Sequence, residues 1–297
     1  MHCFADRTML PHLKEIWKEC FGDEDSYINF FFLHQLESYS VKSEEIYMES
    51  KKVYENQLVY MDDDYPVSML TMIPGLLAMP EGNKKIYYIY GVATKKVYRG
   101  RGYAAALLEQ AFDIAQKDQA ALVLVPASES LYTYYQRLGF KTAFYEKRLT
   151  LRLPEKVKTN KRIWNIREID ADIYHAMRKQ QFAQLGNVIW NEPQLLYAYR
   201  ENQFLGGKSY CIESEHKEYL LMCYAYQSCL YVRETSLPDR LIEMVIYTIM
   251  EQCKCITATV RRPVFCGSLG KTSANGMILP DLLCGKDKNR YLGLTLD

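Results

Sequence analysis

The sequence predicts a mixed α/β fold, an α+β arrangement around a mixed sheet, laid out as two successive units. Residues 86 to 140 read as strand, glycine-containing loop, helix, strand and helix. Residues 228 to 260 repeat the first part of that order as strand, turn, apolar helix and strand. With 297 residues, 48% of them hydrophobic and 25% charged, the chain is long enough for two domains with sizeable cores. The expected boundaries are 1–150 for the first domain, 151–162 for a polar, basic linker containing Pro154, and 163–297 for the second.

In chain order, Leu10, Leu13, Ile16, Trp17 and Cys20 recur at helical spacing over 6–20, with Pro11 where a first turn tolerates it. FGDED at 21–25 is a break, and SYINFFFLHQL continues as a second helix. Residues 54–60 and 67–73 read as a hairpin, with DDDYP as its turn and Pro74 and Gly75 closing it. KIYYIYGVA is β-branched and aromatic, which suits a buried strand. Ala104, Leu107, Leu108, Ala111, Phe112 and Ala115 form one apolar face of a helix over 102–116, and ALVLVPAS at 121–128 is the next strand. Beyond the linker, 163–170 reads as a strand into a helix at 170–183. A loop at 191–194 and a short helix follow, then strands at 208–215, 218–227 and 228–236, and a helix opened by Pro238 and Asp239.

Composition excludes several classes of function. A net charge of +1 gives no general reason to bind nucleic acid or an anionic membrane. No apolar run approaches the roughly 20 residues of a membrane span, and the start lacks a signal-peptide core, so a cytoplasmic protein is expected. Nine scattered cysteines fit reduced thiols, and Cys253 and Cys255 lack the second pair of a zinc site. Asp62, Asp63 and Asp64 read as a solvated hairpin tip; no metal is expected. Arg261, Arg262 and Lys271 read as an ordinary solvated surface.

The chemistry is concentrated in TKKVYRGRGYA, residues 94–104. A glycine loop feeding a helix start presents unpaired amides and the positive end of the helix dipole to an anion. Gly100, Gly102 and Ala104 let backbone approach a bulky diphosphate, and Arg99 and Arg101 add charged donors. The stretch is not G-x-x-x-x-G-K-[ST], since no Lys-Ser or Lys-Thr follows, and not G-x-G-x-x-G, since Gly100-Arg-Gly102 runs into alanines.

Arg99 to Ala104 does read R-x-x-G-x-A, and in this it resembles the signature of the GCN5-related N-acetyltransferase (GNAT) family. SLYTYYQRLGF at 130–140 resembles the family's F-Y-x-x-x-G-F segment, with Tyr134 where Phe is common. Together with FGDEDSYINFFF, these stretches are similar to the enhanced-intracellular-survival subgroup, in which a second, degenerate GNAT-like domain follows the catalytic one; a third domain of that subgroup has no counterpart here. The resemblance implies acetyl-coenzyme A as co-substrate, held by Val92, Ala93, Thr94, Arg99, Gly100, Arg101, Gly102, Tyr103 and Ala104. It implies the Val92 amide on the thioester carbonyl, Tyr135 as general acid, and the terminal carboxylate of Asp297 as base. Glu129 suits the first turn of a helix instead.

The implied activity is direct acetyl transfer to a primary amine of a small molecule or peptide. A non-catalytic acyl-coenzyme A binding or sensing protein is the alternative. The second unit lacks equivalents of Arg99, Gly102 and Ala104, and RRPVFCGSLGKTSANGMIL after it offers no tyrosine. It reads as a decayed copy that shapes the acceptor cleft.

Overall fold

The computed structural model describes residues 1–36, 53–155, 164–283 and 287–294. It divides into two compact units, Met1–Leu76 with Lys84–Val125 and Ile278–Pro280, and Leu77–Asn83 with Pro126–Met277 and Asp281–Asp297. Asp297 lies outside the described residues, as does the expected linker from residue 156 on; Leu151 and Arg152, its first residues, end a strand.

The first unit contains β1 (His2–Asp6), α1 (Leu10–Phe21), α2 (Asp25–Phe31), β2 (Val53–Asp62), β3 (Tyr65–Leu77), β4 (Lys84–Thr94), α3 (Tyr103–Lys117) and β5 (Ala121–Leu124). Its sheet order is β1-β2-β3-β4-β5. β1 pairs antiparallel with β2 and β2 with β3, whereas β4 and β5 are parallel, as a crossover through α3 requires. Leu13, Ile16 and Trp17 turn the buried face of α1 inward, where the indole packs 4.2 Å from Phe31 and 5.7 Å from Tyr90, centroid to centroid. Leu107, Leu108, Ala111 and Ala115 do the same for α3.

Two boundaries differ from the sequence reading. The helix expected from residue 6 begins at Leu10, because Asp6 caps a separate short turn, Arg7–Met9, at the end of β1. The strand expected to stop at Pro74 runs on to Leu77. Proline's fixed φ is compatible with extended backbone, and Pro74 lies beyond the last β2–β3 pair, Gln57–Thr71, so its missing N–H breaks no rung of that ladder.

The second unit contains α4 (Glu129–Arg137), β6 (Lys141–Arg152), β7 (Asn165–Glu168), α5 (Ala171–Phe182), β8 (Val188–Trp190), α6 (Glu192–Phe204), β9 (Lys208–Ser214), β10 (Lys217–Tyr226), β11 (Cys229–Thr235), α7 (Asp239–Cys253), β12 (Thr257–Arg262) and β13 (Lys271–Leu279). The strands run β13-β6-β12-β11-β10-β9-β7, with β11 and β12 parallel. β11, α7 and β12 thus form the second parallel strand–helix–strand unit that the internal repeat predicted. Leu241, Ile242, Val245, Ile246, Ile249 and Met250 of α7 pack on Leu221, Leu230, Val232, Ala258 and Val260, each of the six α7 side chains contributing about 1.5–3 kcal/mol if fully removed from water.

The expected solvated patch at Arg261 and Arg262 is corrected by this unit. Arg262 is fully buried, its guanidinium on the Asp239 carboxylate and on the carbonyls of Leu237 and Leu269, both at 3.0 Å. Arg261 Nε donates at 3.2 Å to Glu146, itself buried. Both cations have counter-charges distant in sequence, which composition does not disclose.

Candidate active site

β5 accompanies β4 only from Ile86–Ala121 to Ile89–Leu124. Past Ile89, no further β4–β5 pair is made among the described residues, so β5 does not take up the backbone at the end of β4, Gly91–Thr94. Gly91 sits inside this end with φ +62, a left-handed kink within a strand. A Cβ there would stand 3.0 Å from Trp17 Cζ3, so both the backbone and the aromatic packing call for glycine.

Beyond Gly91, the backbone is anchored by side chains that carry no motif. Ser68 Oγ donates to the Ala93 carbonyl at 2.9 Å and lies 2.8 Å from Thr94 Oγ1. The Thr94 carbonyl accepts from Cys20 Sγ at 3.3 Å and from Arg99 Nε at 3.1 Å. Glu19 takes the Lys96 amide. Ala93 is buried, while Val92 and Thr94 are half-buried.

The chain then turns through Lys96–Tyr98 and reaches α3 by way of Gly100 and Gly102, with φ +77 and +83. Both glycines, like Arg99 and Arg101, are exposed, and a Cβ on either would meet nothing within 4 Å; the left-handed backbone alone selects glycine. No side chain caps α3, whose first intrahelical bond is Ala106 N–H to Gly102 C=O. The amides of Tyr103, Ala104 and Ala105 therefore open onto the exposed loop. Arg101 lies over the Tyr98 ring, 5.1 Å from its centroid, and Tyr103 stacks on Tyr60 at 4.5 Å. Val92, Ala93, Thr94 and the whole run Arg99–Ala104 thus all belong to the first unit, with Ala93 buried.

Tyr135 belongs to the second unit. Ser128 caps α4 by accepting from Leu131 N–H, Glu129 occupies the first turn as expected, and Tyr135 sits near the helix end, buried and edge-on to Phe140 at 5.7 Å. No hydrogen bond to its hydroxyl is made among the described residues. Burial, followed by the neighbouring Tyr134, pushes its phenol up to about 12, so it stays protonated at neutral pH.

One group of metal-type ligand atoms occurs among the described residues, Cys211, Glu213 and Glu218, within 4.8 Å of one another. Arg167 donates to both carboxylates, at 3.1 and 3.2 Å, and supplies the positive charge that a cation would bring. Among the described residues no helix is long and apolar enough to cross a membrane.

Residues 5–143 match the family model of the acetyltransferase (GNAT) domain. This stretch is a GNAT domain. Its class of chemistry is acyl transfer from an acyl-coenzyme A, and the chain is accordingly an acyltransferase. Solved structures similar in fold include a conserved protein from Enterococcus faecalis V583, described as a probable N-acyltransferase (14% identity, TM-score 0.68, 94% of this chain and 72% of that one). A GCN5-related N-acetyltransferase from Anabaena variabilis (15%, 0.67, 94% and 72%) and Eis1 from Mycobacterium abscessus (11%, 0.61, 94% and 73%) are likewise similar. At these identities the likeness is one of fold. No curated protein matches the chain. The matched residues include Val92–Thr94 of β4, the glycine loop and α3 in the first unit, and Tyr135 in the second.

Proposed function

We propose that the chain transfers an acetyl group from acetyl-coenzyme A directly to a primary amine of a small molecule or peptide. The observation that supports this best is the uncapped start of α3 behind Gly100 and Gly102, preceded in the chain by the end of β4 that runs past its last β5 pair. The first suits a diphosphate and the second a pantetheine arm. Acetyl-coenzyme A supplies the activated thioester.

In this reading the amides of Tyr103, Ala104 and Ala105 hold the diphosphate, and Arg101 and the free edge of Arg99 add charge. The Val92 amide donates to the thioester oxygen as negative charge develops there. The amine nitrogen forms the new bond to the acyl carbon and loses a proton, the carbon–sulfur bond breaks, and Tyr135 protonates the departing thiolate. A phenol held protonated by burial suits that last role. The base remains assigned to the Asp297 carboxylate by resemblance alone.

Residues 163–297 are read as a degenerate copy without a coenzyme A of their own. Supporting this, the first residue of α7, Asp239, is engaged by the backbone amides of Ser268 and Leu269 and by Arg262, so the chain itself closes that helix start.

The test is acetyl-coenzyme A turnover against polyamines, aminoglycosides, amino acids and peptide amines. Release of free coenzyme A with transfer to at least one class is expected. Tight acetyl-coenzyme A binding with no transfer to any amine would select the non-catalytic binding protein.

A further inference from the structure

Resting on the amine-transfer reading, we propose that the acceptor carries an uncharged hydrogen-bonding group, a carboxamide or hydroxyl, recognised by a buried cluster of Gln35, Asn56, Gln57 and Thr71. The register of β1 against β2 jumps from Phe4–Leu58 to Ala5–Tyr54, which leaves residues 55–57 of β2 without β1 partners. A bulge of this kind re-aims side chains. Asn56 and Gln57 end up buried, 5% and 1% exposed, and Gln35, just after α2, is at 0%.

Few of their polar atoms are satisfied. Thr71 Oγ1 donates to Gln57 Oε1 at 2.6 Å, and Asn56 Nδ2 reaches the Gln35 carbonyl at 3.5 Å. Gln35 Nε2 and Oε1, Gln57 Nε2 and Asn56 Oδ1 have no partner among the described residues. Buried carboxamides are costly to leave unmet, and these four atoms offer donors and acceptors together. No charged side chain among the described residues makes a hydrogen bond to these four residues. A carboxylate or ammonium brought here would have no counter-charge, whereas an amide or hydroxyl would match both kinds of atom.

The cluster also lies in line with the donor side. Lys95 N–H bonds the Val67 carbonyl at 3.0 Å, and Ser68 bonds Ala93, so β3 passes β4 with residues 67–68 beside 93–95. Three residues on, Thr71 falls beside Tyr90 and Gly91, and Gln57 is its partner on β2. From β2 to β4 is two strand spacings, about 10 Å. The acceptor is therefore extended, with the amine at one end and the uncharged polar group at the other.

The experiment compares linear primary amines of equal length that end in carboxamide, hydroxyl, carboxylate, ammonium or methyl. The wild type is expected to acetylate the carboxamide or hydroxyl member with kcat/KM at least about tenfold above the rest, since a site built to hydrogen-bond rejects analogues that cannot. A Gln35→Met, Gln57→Met double variant should lose that preference through acceptor KM, with the KM for acetyl-coenzyme A unchanged. Gln35→Met alone should melt no lower than wild type, because its unmet amide gives way to apolar atoms of similar shape, whereas Gln57→Met also removes the acceptor of the buried Thr71 hydroxyl and should melt lower. A wild-type preference for a charged or methyl-ended amine, or a preference retained in the variant, overturns the assignment and leaves amine transfer standing. Transfer to no amine at all overturns both readings.

Discussion

Arg99 Nε donates to the Thr94 carbonyl at 3.1 Å, and Arg99 Nη2 lies 3.5 Å from the Cys20 sulfur, whose thiol bonds the same carbonyl. One guanidinium thus fastens the end of β4 to the entrance of the glycine loop, and its remaining N–H groups face solvent. Arg99→Glu should remove both the fastening and the positive charge. A charge-assisted hydrogen bond contributes about 1.5–3 kcal/mol, so acetyl-coenzyme A affinity should fall by roughly tenfold to 100-fold. Gly102→Val should weaken binding by at least about tenfold, because φ +83 is strained for valine and its side chain obstructs the α3 amides. Isothermal calorimetry showing wild-type affinity in both variants would remove the diphosphate assignment.

The glycine loop was legible because left-handed backbone at two exposed positions leaves a mark on the sequence that no other residue mimics. Gly91 has the same cause but stands alone in an aromatic strand, where one glycine does not announce a kink. β1 is not legible because HCFAD is five residues without clean alternation, and its strand character comes from pairing with β2, 47 to 58 residues on. Arg262 looked like surface because its counter-ion, Asp239, lies 23 residues earlier in sequence. The cluster at Gln35 and Gln57 depends on a register jump between two strands, which no local pattern encodes. Motifs set by backbone geometry survive in one sequence; contacts made across the fold do not.

Tyr135→Phe should leave acetyl-coenzyme A affinity unchanged and lower kcat by about 100-fold, within the usual range for loss of a general acid. Stability should change little, since the hydroxyl makes no hydrogen bond among the described residues. The pH dependence has a definite sign. An acid must be protonated, its activity is lost as pH rises through its pKa, and burial together with Tyr134 pushes this one up to about 12. Wild-type kcat should therefore show no alkaline decline from this group below about pH 10. An alkaline limb near neutrality that vanishes in Tyr135→Phe would contradict the environment assigned to the phenol.

Asp239 joins α7 to the segment after β12, accepting from Arg262, from the hydroxyl and amide of Ser268 at 2.7 Å, and from the amide of Leu269. Burial alone would raise its pKa, but these bonds outweigh it and hold the carboxyl well below the ordinary range. A depressed folded pKa contributes stability that is fully present above the unfolded value, about 4, and is lost as pH falls toward the folded one. Asp239→Asn leaves the buried Arg262 without its counter-charge, a change that costs up to about 3–5 kcal/mol. Denaturant midpoints should thus separate widely at pH 7, and the gap should narrow below about pH 4. A solvated aspartate at a helix start would instead give a small difference, about 0.5 kcal/mol, at every pH. Because the loss acts on folding and not on the donor surface, acetyl-coenzyme A affinity per folded molecule should match wild type at pH 7.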